Sequence, residues 1–130
     1  MVQKIRLMSH NVWNKDFNSP EWEARGESCA ASARVEGLLR VYRETKPDMI
    51  GGQEVSAKMA DLLVEGFAKE GVNYTLIWGR YTPIFYRAEK FELVDAAFAG
   101  GDEYQAGSDQ ARAYQAASLC EMLVRYRKNH

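Results

Sequence analysis

The chain has 130 residues, of which 46% are hydrophobic, 27% charged and 12% aromatic. That profile suits one globular domain and excludes a collagen-like, coiled-coil or disordered chain. Seventeen Lys and Arg against 18 Asp and Glu leave a net charge of −1, so the chain lacks the positive excess of a non-specific nucleic-acid binder, and any anionic ligand has to be met by local groups.

Cys29 and Cys120 stand far apart without CxxC spacing, which argues against a disulfide framework or a zinc ribbon. The opening Met1-Val2-Gln3-Lys4-Ile5-Arg6 has no apolar core of a signal peptide, and no run of about 18 apolar residues occurs. No membrane span is expected. A soluble protein is the simplest reading, cytoplasmic or secreted after removal of a signal peptide, and the compartment stays open.

Residues 4–12 place Ile5 and Leu7 on one face and Met8, His10 and Val12 on the other, the pattern of a strand that is apolar on both sides and lies inside a layered sheet. Residues 13–27 read as a loop with a turn in it, where Ser19 can cap and Pro20 can open a helical turn. From Cys29 to Thr45 the residues Ala31, Val35, Leu38, Leu39 and Tyr42 recur at helical spacing, with Arg34, Arg40 and Arg43 mostly elsewhere on the circumference. Pro47-Asp48 stops this helix. Residues 49–55 then read as a short buried strand whose glycines allow close backbone approach.

Strand, helix and strand in this order form a βαβ unit, so the two strands run parallel and end at the same sheet edge. Asn11 and Glu54 become neighbours there. Ser56 can cap a second helix, with Met59, Leu62, Leu63 and Phe67 as its apolar stripe and an end near Gly71. Residues 74–78, 83–87 and 90–94 follow as three strands with short turns between them, the pattern of an antiparallel meander. The chain is read as a single domain, 1–130, with a long loop at 98–113 and a final strand at about 115–127.

The two strands of this unit carry Ser9-His10-Asn11-Val12-Trp13 and Pro47-Asp48-Met49-Ile50-Gly51-Gly52-Gln53-Glu54-Val55. Together with Thr82-Pro83-Ile84-Phe85-Tyr86-Arg87 they resemble three signatures of the endonuclease/exonuclease/phosphatase, or DNase I-like, family. The resemblance implies an α/β fold, half of a DNase I-like four-layer α/β sandwich, with a mixed β-sheet and two helices on one face. It also implies that Glu54 is a ligand of Mg²⁺ (or Mn²⁺) and that Asn11 is a catalytic residue acting on a phosphoester substrate. The residue types suit those roles: Mg²⁺ takes hard oxygen donors and often only one or two carboxylates, and a neutral amide can orient a phosphoryl oxygen without adding negative charge.

Alone, a strand-terminal Glu is more often a solvated surface residue and an Asn more often a turn former; the paired motifs raise both above that reading. Gln53 is expected to secure neighbouring backbone, and His10 to be a packed strand histidine. Trp13, Tyr81 and Tyr104 are read as core or rim packing rather than a substrate cleft, and Arg80 and Arg87 as exposed surface. Ser108-Asp109-Gln110 resembles the family's terminal Ser-Asp-His only by chance, since it lies in the long loop and lacks the histidine.

The resemblance reaches only the family's first half. Its later motifs, Asn-Thr-His, Gly-Asp-Phe-Asn and Ser-Asp-His, supply the catalytic His and Asp, and none occurs in this sequence. The chain alone is therefore expected to be nearly inactive. An uncovered sheet face calls for a partner: the missing C-terminal half, or a second copy in a homodimer. The alternative to a hydrolase half is a non-catalytic truncated module that self-associates through that face. A generic small-ligand α/β domain ranks last, for want of a Gly-rich phosphate-binding fingerprint.

Overall fold

The computed structural model describes residues 4–79, 81–99 and 119–127. Tyr104, Arg80, Ser108-Asp109-Gln110, His130, residues 115–118 and most of the expected 98–113 loop lie outside the described residues; Phe98 and Ala99 belong instead to a strand.

Parallel strands β1 (Leu7–Asn11) and β2 (Met49–Gln53) are joined through a one-turn helix α1 (Pro20–Ala24) and the long helix α2 (Ala31–Thr45). Pro20 opens α1 as expected, and the Ser19 carbonyl accepts from the amides of Trp22 and Glu23, although its hydroxyl makes no cap bond. α2 ends at Lys46 in the left-handed conformation, directly before Pro47. Helix α3 (Ala57–Glu70) starts at Ser56, whose side chain accepts from the Met59 amide, and ends at Gly71 with φ of 71°, a conformation that favours glycine.

Strands β3 (Tyr74–Ile77) and β4 (Ile84–Arg87) complete a four-stranded mixed sheet in the order β1-β2-β4-β3. Its cross-strand row Met8, Ile50, Phe85, Leu76 faces the helices. There it meets Leu39 and Tyr42 of α2 and Met59, Leu63 and Phe67 of α3 in one core. Each fully buried side chain of this size stabilises the fold by about 1.5–3 kcal/mol. Phe67 is the hub, with ring centroids 4.6 Å from Tyr74, 5.7 Å from Phe85 and 6.0 Å from Tyr42.

The opposite face carries the rows Leu7, Met49, Tyr86, Thr75 and Ser9, Gly51, Ile84, Ile77. Leu7 is 71% exposed and Ile5 44%. β1 is therefore not an interior strand covered on both sides. It is an edge strand of the described sheet with only its Met8–His10–Val12 face packed, because both helices lie on that side.

The expected three-strand meander is also corrected. β4 is hydrogen-bonded by β2 on one side and β3 on the other, and a strand has only two edges. β5 (Phe91–Ala99) consequently pairs not with β4 but with β6 (Leu119–Tyr126), as a separate antiparallel two-stranded sheet with a bulge between Leu93 and Asp95. The β4–β5 turn is anchored by Lys90, whose ammonium lies 2.7 Å from the buried Asp48 carboxylate; Asp48 also accepts from the Arg6 amide at 2.8 Å. No helix among the described residues is long and apolar enough to cross a membrane.

Candidate functional site

Parallel pairing sets the site. Asn11 lies opposite Gln53, and the Val12 amide donates to the Gln53 carbonyl at 3.0 Å, so the next residue, Glu54, leaves β2 at the same edge as Asn11. Its side chain is exposed, and its backbone has φ of 53°. Trp13, two residues beyond Asn11, has φ of 64°. A left-handed backbone costs a non-glycine L-residue about 1–2 kcal/mol, and such outliers gather at functional sites.

What holds these conformations is visible. The Asn11 side-chain oxygen accepts from the Trp13 amide at 3.0 Å, closing a local turn. The bond fixes the orientation of the amide, whose NH₂ is the group Asn11 can offer to an oxyanion. On the other strand, the Gln53 side chain donates to the Gly51 carbonyl and to Ser9 Oγ, the backbone-securing role expected of it. Gly52 is required there: a Cβ would stand 2.6 Å from Cγ2 of Val55.

The sequence does not reveal the part played by Arg34. Its guanidinium donates to the carbonyls of Val12 at 2.5 Å, Lys15 at 2.6 Å, Cys29 at 2.7 Å and Trp13 at 3.0 Å, and lies 5.2 Å from the centre of the Trp13 ring. Arg34 lies off the apolar stripe of α2, as expected, and from there it clamps the segment that follows β1. One signal was present. A cation in the first turn of a helix faces the positive end of the helix dipole, so it needs acceptors from elsewhere. Asp16 adds a second tie, with its carbonyl accepting from Ala31 and its carboxylate bonded to the Ser56 hydroxyl.

His10 is the packed strand histidine expected of it. Its Nδ1 lies 2.8 Å from the Tyr42 hydroxyl and the two rings meet edge to face, with burial lowering the imidazole pKa. Trp13 packs at the rim on Trp22, centroids 6.0 Å apart, yet remains 43% exposed, and Tyr81 is 41% exposed. Arg87 is not free surface: it pairs with Glu89, stacks 5.8 Å from Tyr74, and sits at the opposite edge of the sheet from Glu54.

Among the described residues no three His, Cys, Asp or Glu side chains converge. Glu54 is thus a single accessible carboxylate beside an amide. As a donor set this fits Mg²⁺ or Mn²⁺, which bind through one or two carboxylates and otherwise keep water and substrate oxygens, and it does not fit zinc.

A mixed sheet with α2 and α3 on one face is the architecture of part of a DNase I-like fold. Solved structures similar to the chain include an endonuclease/exonuclease/phosphatase from Bacteroides vulgatus (TM-score 0.54, 21% identity, 72% of this chain and 35% of that one). An endonuclease/exonuclease/phosphatase family protein from Bacteroides thetaiotaomicron has TM-score 0.54 and 23% identity, over 72% of this chain and 34% of that one. Humanized D. rerio TDP2 carrying 14 mutations has TM-score 0.59 and 17% identity, over 94% and 42%. The chain therefore has the endonuclease/exonuclease/phosphatase fold over about a third to two-fifths of the length of these proteins. No protein-family model matches the sequence, and no curated protein matches it significantly.

Proposed function

We propose that the chain is the N-terminal part of a metal-dependent phosphoester hydrolase, with Glu54 as a ligand of Mg²⁺ or Mn²⁺ and Asn11 as a residue that orients a phosphoryl oxygen. The observation that carries this reading is the parallel register that delivers Asn11 and Glu54 to one edge, with Glu54 in a backbone conformation that ordinary loop residues avoid. When bound, the cation would supply charge stabilisation at phosphorus. Asn11 would contribute an NH₂ donor to a phosphoryl oxygen, and the turn to Trp13 fixes its direction.

The general base is not supplied by these elements. The chain has two histidines, His10 and His130, and His10 is engaged with Tyr42 on the packed face of β1. Hydrolysis then requires residues contributed by a further polypeptide segment of the same fold.

Manganese binding followed by electron paramagnetic resonance tests the metal assignment: a weak saturable site lost in Glu54→Gln is expected, and equal binding by the variant overturns it. Hydrolysis of bis(p-nitrophenyl) phosphate should stay near background with this chain alone and rise when a polypeptide carrying the remainder of such a fold is added. No rise on addition counts against a split active site.

A second reading, a self-associating module without activity, is favoured by the exposed Leu7 and Ile5 on the sheet face away from the helices. Light scattering separates the two. A stable twofold dimer that neither binds Mn²⁺ nor gains activity supports the module.

A further inference from the structure

The hydrogen-bonded ladder between β1 and β2 ends at the Val12 amide and the Gln53 carbonyl. Beyond that bond the two chains leave the sheet through left-handed residues, Trp13 on one side and Glu54 on the other. Among the described residues no backbone bond joins one turn to the other. Asn11 and Glu54 flank this divergence, so a site built from both needs a tie from elsewhere.

Asp16 provides it. Its carbonyl accepts from the Ala31 amide at 3.0 Å, which fixes its backbone to the first turn of α2, and its carboxylate is bonded to the Ser56 hydroxyl. Ser56 is buried, and its oxygen already accepts from the Met59 amide at 3.1 Å as the cap of α3. A hydroxyl has a single proton, and that proton goes to Asp16. Arg34 holds the carbonyls of Val12, Trp13 and Lys15, so the run from Asn11 to Asp16 is held as one piece. Among the described residues, the Asp16–Ser56 bond is the one side-chain hydrogen bond that joins residues 12–18 to residues 54–58. The Lys58 ammonium, 4.5 Å from the centre of the Phe17 ring, lies alongside it.

We propose that Asp16 is a positioning residue for the Asn11–Glu54 pair: through Ser56 it locks the turn that follows Asn11 to the turn made by Glu54, and so fixes the separation between the phosphoryl-orienting amide and the cation-binding carboxylate. The proposal rests on the reading of Asn11 and Glu54 given above and adds the residue that couples them. A carboxylate makes a shorter and stronger bond to a hydroxyl than a neutral acceptor does. Its charge also lies at the start of a helix whose first turn holds no acidic residue of its own. A helix start that needed only a polar partner could take one from its own third position; here that position is Met59, and the partner comes from the loop behind Asn11.

Amide exchange with solvent, followed by nuclear magnetic resonance on metal-free protein, reads the coupling without any cation. In Asp16→Ala the Trp13 amide, bonded to Asn11, and the Val55 amide, bonded to the Tyr81 carbonyl, should both exchange about fivefold faster or more relative to Leu63 in the core of α3. Asp16→Asn keeps an acceptor for the Ser56 proton and should restore both to within about twofold. Mn²⁺ affinity, measured by electron paramagnetic resonance, should fall about threefold to tenfold in Asp16→Ala, less than for a group bonded directly to a metal ligand. It should return in Asp16→Asn, which carries no charge, so recovery there separates position from electrostatic attraction.

A staple of purely structural value would lower the melting temperature and speed exchange at Met59 while leaving Trp13, Val55 and Mn²⁺ affinity as in the wild type. That result overturns the proposal, as does acceleration at Val55 alone or an equal loss of affinity in Asp16→Asn. Should Asp16→Ala not fold, Asp16→Glu takes its place: it keeps the charge beside α3 but carries the carboxylate one carbon further, and the same faster exchange at Trp13 and Val55 is expected, with unaltered exchange overturning the coupling. A wild-type chain that binds no Mn²⁺ removes the metal reading of Glu54, and exchange at Trp13 and Val55 then decides the coupling by itself.

Discussion

Gly52 and Val55 face each other so closely that any side chain on the glycine would enter the space of the valine, with 2.6 Å between a Cβ and Val55 Cγ2. Val55 is buried and β-branched, so it has little rotamer freedom with which to yield. Glu54 lies between them in the chain. Gly52→Ala should therefore destabilise the fold by about 1–3 kcal/mol and move Glu54 as well. The check is urea unfolding together with Mn²⁺ affinity, and a variant of unchanged stability would show that the turn is looser than its geometry indicates.

Arg34 answers four backbone carbonyls at once. Replacing it with Ala leaves those acceptors to water and releases the segment between Val12 and Lys15 that presents Trp13. Bonds from a charged donor contribute about 1.5–3 kcal/mol each when shielded, and less in this half-exposed setting, so a total loss of about 2–3 kcal/mol is expected in urea unfolding. Arg34→Lys should recover little, because a point ammonium cannot span four acceptors as a planar fork does. Full rescue by lysine would mean that charge alone matters at this position.

Much of the βαβ unit was legible in the residues. Apolar spacing located α2 and α3, Ser56 and Gly71 marked the ends of α3, and the strand–helix–strand order gave the parallel pairing that brings the ends of β1 and β2 to one edge. Pairing partners were less legible, because alternation marks a segment as a strand without saying which edge it will find. β5 went to β6 since β4 had no free edge. The two-sided apolar pattern of β1 suggested cover on both faces, and Leu7 on the open face shows that such a pattern records a preference for cover rather than its source. The positive φ of Trp13 and Glu54 had no signal at all, as neither is a residue type that favours that conformation.

At the far end of the sheet, Asp48 ties the starts of β1 and β2 to the turn before β5. Burial pushes its carboxyl pKa up, but the Arg6 amide and the Lys90 ammonium more than compensate and hold it below the usual value of 3.8. Asp48→Ala removes the Arg6 acceptor and the Lys90 partner together, and because Lys90 is partly exposed a loss of about 2 kcal/mol is expected. In the wild type this contribution is present above the unfolded carboxyl pKa and lost as pH falls through the lower folded one. The variant should therefore show a shallower acid limb below about pH 4 in thermal melts.

His10 predicts a second, separate window. Burial against Tyr42 lowers its pKa from the ordinary 6.5, so between the two values the unfolded chain takes up a proton that the folded chain refuses. Stability is then fully present above about pH 6.5 and falls as pH drops toward the folded pKa. His10→Gln should flatten stability between pH 5 and about 7. The Tyr42 hydroxyl stays protonated throughout, since burial raises its pKa, and Tyr42→Phe should change the size of the pH effect without changing its sign. A wild-type melting temperature that is flat from pH 7 to 5 would mean that His10 is protonated inside the fold and that the hydroxyl of Tyr42 accepts its proton.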